Sequence, residues 1–400
     1  MSSLFILNKS SLASIGLSLL LCTTALSIVF PISGISVIIA SISLLVGLYV
    51  SDLKRNNALI IGCLFVFITA HFLIAYLFFD TDEKILSFYF FSFTLYGLCG
   101  LIYSGAEIDY TTFYRVTLVW AAIVSIIIYK ITFNGYLPSS VSTPDDAAKY
   151  FMSVSQAVGL ILLVLFFNVF EEKSTIFRVI SLLLFIFYFV FMFSYGARSF
   201  LLAFFIFIAF YILKKKGALS IPTVFFLILG LLLLATYFND FVLWLNTLLS
   251  EYNLESRTIT RLVRYQQLDG DASAGRYTIW LQGFHGFLSS PIIGNGIASF
   301  ETKYGYYVHN LIIQLLYEGG VILATPIIYV LFKFSKLLFS RSIRFDDWVF
   351  IFLIFCSGVI YLFFSTVVWR SLYFWFFIGW VICYKKPKNK IQISCAKTEN

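Results

Sequence analysis

Residues 176–216 read IFRVISLLLFIFYFVFMFSYGARSFLLAFFIFIAFYILKKK. Two apolar runs, Ile176–Tyr195 and Ser199–Leu213, are separated by only Gly196-Ala197-Arg198 and end on Lys214, Lys215 and Lys216. A helix needs about 20 apolar residues to cross the hydrocarbon of a bilayer. The stretch therefore predicts two membrane spans joined by a very short turn, with Arg198 in that turn. A charge there is costly in lipid, so it faces the protein interior or a wet cavity unless it snorkels.

The same pattern extends in both directions. Towards the N-terminus the apolar runs are Ser11–Phe30, Ile32–Val50, Ala58–Phe79, Ile85–Tyr103, Phe113–Phe133 and Tyr150–Phe170, with Pro31 breaking the first two. Towards the C-terminus they are Leu219–Leu245, Tyr307–Phe332, Asp347–Ser365 and Ser371–Tyr384. The expectation is an all-α integral membrane protein of about 12 spans forming one polytopic domain over residues 1–400. Ser11–Phe30 is read as a retained helix, because it exceeds a signal-peptide core and a second span follows at once.

Composition agrees. Of 400 residues, 60% are hydrophobic and only 12% charged, against roughly 25% charged in soluble domains. So few charges cannot cover a soluble globule. The net charge of +8 sits mainly at span ends, which reads as cytoplasmic retention and excludes nucleic-acid binding as its explanation. With cytoplasmic termini, twelve spans place Lys54/Arg55, Lys173/Arg178, Lys214–Lys216, Lys333/Lys336/Arg341/Arg344 and Lys385–Lys390 inside. The six cysteines form no CxxC pair and read as apolar fillers.

Residues 246–306 form the one long hydrophilic stretch, and the span count puts it outside as a loop acting as a lid or cap. It holds Arg257, Arg261, Arg264, Arg276 and Lys303. Basic residues on that side are not retention signals, so anion binding is their natural use. Arg257, Arg261 and Arg264 share one face if helical, which reads first as a solvated basic face. Ser273-Ala274-Gly275-Arg276-Tyr277 with Trp280 is followed by Pro291-Ile292-Ile293-Gly294-Asn295-Gly296. At the mouth of the next span stands Val308-His309-Asn310. Below it Asn310, Gln314, Tyr317 and Glu318 fall at i, i+4, i+7 and i+8, a polar stripe reaching about 12 Å along the helix. Such a stripe marks a polar cavity or interhelical glue. His309 at the rim titrates near neutrality and can move protons. His71 reads as a satisfied interior histidine, His285 has no distinctive neighbours, and Asp269-Gly270-Asp271 is a turn lacking the ligands of a calcium loop. No zinc-protease, Walker or dinucleotide motif is present, and neither metal nor cofactor is expected.

In this order the motifs resemble the O-antigen polymerase and O-antigen ligase superfamily of bacterial polysaccharide assembly. The resemblance rests on Ala197-Arg198-Ser199, on Ala274-Gly275-Arg276 with Trp280, on Pro291–Gly296, and on His309-Asn310 leading into Leu315–Gly320. It covers roughly residues 180–332. It implies a membrane glycosyltransferase of GT-C-like architecture. The reaction it implies is metal-independent transfer of a glycan from undecaprenyl pyrophosphate at the periplasmic face of the bacterial inner membrane. Arg198 and Arg276 would hold the pyrophosphate, since guanidinium forks bind such oxygens in bidentate fashion. His309 would deprotonate the acceptor hydroxyl. Asn310, Gln314 and Glu318 would position the histidine or acceptor, and Trp280 would pack on a sugar face.

The implied partners are undecaprenyl-pyrophosphate-linked repeat units and membrane lipid, with a chain-length regulator as a further candidate. The stretch His309–Gly320, and Ser365-Thr366 with Trp369, Phe374 and Trp375, look more like polymerases than ligases. The alternative is a ligase acting on lipid A core, and behind it a lipid-linked oligosaccharide flippase. A flippase would carry polar residues at mid-membrane on several helices, often in repeated halves, and neither is seen here.

Overall fold

A computed structural model describes the backbone of residues 8–29, 34–53, 55–134, 144–195, 198–215, 238–251, 263, 276–340, 342–364 and 366–384. Every regular element among them is helical. The order is α1 Lys9–Leu21, α2 Thr23–Val29, α3 Ile35–Val50, α4 Arg55–Phe78, α5 Glu83–Tyr103, α6 Tyr110–Asn134, α7 Pro144–Glu171, α8 Thr175–Tyr195, α9 Arg198–Lys215, α10 Phe238–Glu251, α11 Arg276–Ser289, α12 Ser299–Tyr304, α13 Leu311–Leu338, α14 Phe345–Leu362 and α15 Leu372–Cys383. Among the described residues, seven helices are long and apolar enough to cross a membrane, while α1, α3 and α15 are shorter apolar helices. The run Ser11–Phe30 is divided at Cys22 into α1 and α2. The run Leu219–Leu245 lies largely outside the described residues, and α10 at its end continues past residue 246 to Glu251.

The apolar surface is turned outwards. Leu45, Val66, Phe78, Ile176 and Leu183 are all more than 60% exposed. Large side chains stand free in this way when lipid is their solvent, and the fold is that of a multi-pass membrane protein.

Side-chain contacts sort the bundle into two ends. At one, the Lys214 ammonium donates to the Ser340 carbonyl (2.8 Å) and that of Lys333 to the Val381 carbonyl at the end of α15 (2.7 Å). Arg344 grips Asp347 there through two nitrogens (2.7 and 3.1 Å). This is the end of the basic loops. At the other, the Asp82 amide donates to Thr302 Oγ1 (2.8 Å) and the Val368 amide to Gln314 Oε1 (3.3 Å). His309, Arg276 and Arg370 belong to this second end.

The span expected at Tyr307–Phe332 is not one continuous helix. α13 breaks at Gly320, whose φ of 59° and ψ of −160° leave the helical region altogether. Glycine alone adopts such angles without strain. The break frees carbonyls above and amides below, and the Pro291–Gly296 turn satisfies both sets. The Asn295 amide donates to Tyr317 O (2.8 Å) and that of Gly296 to Glu318 O (2.9 Å). In return the Val321 amide donates to Pro291 O (2.9 Å) and that of Ile322 to Ile292 O (3.3 Å). The chains touch so closely that a Cβ on Gly320 would lie 2.3 Å from Ile292 O, and one on Gly294 2.5 Å from the Glu318 carbonyl carbon. Non-helical backbone at this depth is tolerated because protein closes over its polar groups. The Pro291–Gly296 part of the 246–306 stretch is thus packed into the break of α13, while residues 252–262 and 264–275 of that stretch lie outside the described residues. α11 also lies directly on α13, with Gly283 against Val308 and Ile313 and Gly286 against Tyr317.

Candidate active site

The packing of α11 on α13 brings two of the sequence-predicted residues together. α11 opens at Arg276, and Trp280 lies one turn further on the same face. His309 sits just before α13 in a left-handed conformation (φ 58°), the local consequence of turning the chain into a helix that Asn310 caps. Its ring lies against Tyr307, with centroids 3.9 Å apart. Nδ1 is buried and, among the described residues, has no hydrogen-bond partner. Burial, and then the nearby Arg276 charge, push the imidazole down from 6.5 to about 4. His309 is therefore neutral at pH 7, the form that can accept a proton. Trp280 Nε1 is likewise buried without a partner among the described residues. An unpaired ring nitrogen, an unpaired indole N–H and an arginine are groups that a polar ligand would satisfy.

The polar stripe below them is occupied by the protein. Asn310 Oδ1 accepts from the Ile312 and Ile313 amides (3.1 and 3.2 Å), a helix N-cap. Gln314 Nε2 donates to Glu318 Oε1 (3.2 Å), and Trp369 Nε1 donates to Glu318 Oε2 (2.8 Å). Glu318 is 1% exposed. Of the two readings of this stripe, these contacts fit interhelical glue. Trp369 is the partner that completes it, itself wedged among Phe72, Phe93 and Trp375. His71 donates from Nδ1 to the Phe67 carbonyl (2.9 Å), as a satisfied interior histidine does.

A second buried carboxylate went unnoticed in the sequence. Glu301 on α12 accepts from the Tyr89 hydroxyl (3.1 Å) through Oε1, while Oε2 is buried and unpartnered among the described residues. Burial raises its carboxyl from 4.5 to about 7. Its hydrogen-bond partner on α5 lies 212 positions away in sequence, and no local pattern signals that. Such a group takes up a proton on folding between pH 4.5 and about 7. Its contribution to stability is therefore full below pH 4.5, falls as pH rises to about 7, and is flat above, a loss on the order of 3 kcal/mol. Glu301→Gln, always neutral, should flatten that decline. Thermal unfolding in detergent from pH 5 to 8 measures it.

Arg198 begins α9, and its side chain lies outside the described residues, as do Arg257, Arg261, Arg264 and Ser273–Gly275. The backbone position of Arg198 is nevertheless fixed by its helix. Phe207 and Tyr211 meet Phe352 and Phe345 of α14, so α9 runs antiparallel to α14 and its first residue stands at the His309 end.

Residues 180–328 match the family model described as O-antigen ligase, Wzy_C. The match supports the O-antigen polymerase and ligase superfamily, whose members are glycosyltransferase-like enzymes acting on lipid-linked polysaccharide. No curated protein matches the chain. The Wzy_C segment spans Arg198, Arg276, Trp280, the Pro291–Gly296 turn, His309 and the break at Gly320. α1 to α7, and the Thr366–Ser371 segment that bonds to Gln314 and Glu318, fall outside it.

Proposed function

We propose that the protein is a polymerase of O-antigen or a related surface polysaccharide. It would transfer a glycan from undecaprenyl pyrophosphate onto a sugar hydroxyl of another lipid-linked repeat unit at the periplasmic face. The carrying observation is His309: neutral, with an unpaired ring nitrogen, and sensing the charge of Arg276 at the mouth of α13. The imidazole accepts the acceptor's hydroxyl proton as the oxygen attacks the anomeric carbon. The bond from that carbon to the pyrophosphate breaks, and the anion leaves on the lipid. Arg276 and Arg198 take up the charge that develops there, the kind of stabilisation that dominates when donors are preorganised. A single displacement inverts the anomeric centre.

The Arg276–His309 coupling gives the site an order of events. Without donor, burial and, after it, the guanidinium charge keep the imidazole a weak base. A bound pyrophosphate cancels that charge and raises its basicity, so the base strengthens only when a leaving group is in place. Asn310, Gln314 and Glu318 serve this site as framework, holding α13 and the Val368-Trp369 segment in register. Trp280 offers an indole N–H and an aromatic face to a sugar.

The ligase reading keeps one observation in its favour, the O-antigen ligase description of the matching family. The lipopolysaccharide ladder of cells lacking the gene separates the two. Core carrying a single repeat unit identifies a polymerase. Bare core, with long chains left on the carrier lipid, identifies a ligase.

A further inference from the structure

At the same end of the bundle, but lined by none of His309, Arg276 or Trp280, a cavity of about 410 Å³ opens between α1, α2, α3, α5, α7, α14 and α15. Its wall includes Tyr96, Gln156, Ser357, Thr366 and Ser371, with Arg370 among them. Arg370 is exposed, and among the described residues it makes no ion pair. Its guanidinium instead lies over the Phe88 ring, 5.0 Å from the centroid. Three irregularities converge on this space. α5 and α14 each depart from α-geometry for a π-turn, at Phe93–Gly97 and Phe355–Val359, and these turns supply Tyr96 and Ser357. Thr366 is held at φ 70°, a costly conformation for a β-branched residue. π-bulges and strained residues recur where a fold shapes a binding site. The short 3₁₀ turn Val368–Arg370 then delivers Arg370, and the N-terminus of α15 at Ser371 adds its amide dipole. α9, which starts at Arg198, packs along α14 and reaches the end of it that borders the cavity.

We infer that this cavity binds the phosphate-bearing head group of a membrane lipid, with Arg370 as its anchoring cation. The chemistry is a phosphate ester entering sideways from the leaflet, its oxygens on the guanidinium and its first carbons over Phe88. That the lipid is a polyprenyl pyrophosphate, and so a substrate, rests on the function proposed above. That it is a lipid phosphate does not. The Val368 amide on Gln314 and the Trp369 indole on Glu318 tie the segment that carries Arg370 to α13, the helix that His309 precedes. Gln314 lies in the first turns of α13, five residues after His309.

The test is equilibrium binding to the full chain in phosphatidylcholine nanodiscs, read by native mass spectrometry. The probes are undecaprenyl pyrophosphate, phosphatidylglycerol and inorganic pyrophosphate. Wild type should retain a lipid probe. Arg370→Gln should weaken it at least tenfold, Arg370→Lys by less, and Ser36→Phe, which narrows the cavity while leaving Arg370 in place, should weaken it as well. Tighter retention of the polyprenyl probe names the carrier as occupant, and tighter retention of phosphatidylglycerol names a phospholipid. Unaltered lipid binding in a folded Arg370→Gln protein, or binding of inorganic pyrophosphate alone, overturns the inference. Turnover is not read in this assay, so loss of the polymerase reading would leave its result standing.

Discussion

Gly320→Ala should cost the protein about 3 kcal/mol or more, enough to lower its melting temperature sharply or remove it from the membrane fraction. The added methyl carbon would stand 2.3 Å from the Ile292 carbonyl oxygen, backbone that cannot step aside as a side chain could. Holding a non-glycine residue at φ 59°, ψ −160° adds ~1–3 kcal/mol by itself. Relieving the contact separates the Pro291–Gly296 turn from α13, and each buried amide or carbonyl then left unpaired costs ~1–3 kcal/mol. Gly294→Ala strikes the same joint from the other side. The double variant should therefore lose less than the sum of the two singles, as expected of neighbours sharing one interaction. Gly62→Ala is the control. Gly62 lies inside α4 with nothing within 4 Å of an added Cβ, and the change should be neutral or slightly stabilising. Thermal unfolding of the purified variants in one detergent makes the comparison.

His309→Asn should lower turnover by ~10²–10⁴, the range for removing a general base, while melting as wild type does. Asparagine is the suitable replacement because it tolerates the left-handed backbone that His309 occupies, so the loss reports chemistry and not strain. The pH profile carries the finer test. With the free enzyme's imidazole at about 4, kcat/KM should be flat from pH 8 down to about 5 and fall below that. The acid limb of kcat, which reports the donor-bound enzyme, should lie at higher pH. Arg276→Gln should move the kcat/KM limb upwards. It should not restore the full 6.5, because burial is the larger cause and remains.

The sequence made the helical membrane architecture legible because apolar length is a local property. Runs such as Ile176–Tyr195 need no tertiary information to be read. His309 and Arg276 were legible as candidates, because an imidazole and a guanidinium beside a span have few bland uses. The division of labour within the motifs was not legible. Asn295 in the Pro291–Gly296 turn, and Gly319-Gly320 after Glu318, stand in sequence beside the candidate residues, yet their geometry closes a broken helix. Glu318 shows the same limit, since nothing near it announces that its carboxylate meets Trp369, 51 residues on. Arg370 is not legible as a candidate for a related reason: on the chain it resembles any basic residue at a span end. Only the π-turns in α5 and α14, which no residue pattern encodes, reveal the cavity it guards.

The most direct test of the central claim is turnover by the purified protein in proteoliposomes, supplied with a synthetic undecaprenyl-pyrophosphate-linked repeat unit in EDTA. Glycan length and released undecaprenyl pyrophosphate are measured together. The account predicts chains longer than one unit, one carrier released per new linkage, and neither product above background with His309→Asn. Extension by His309→Asn at the wild-type rate, or no extension by folded wild type, would contradict it.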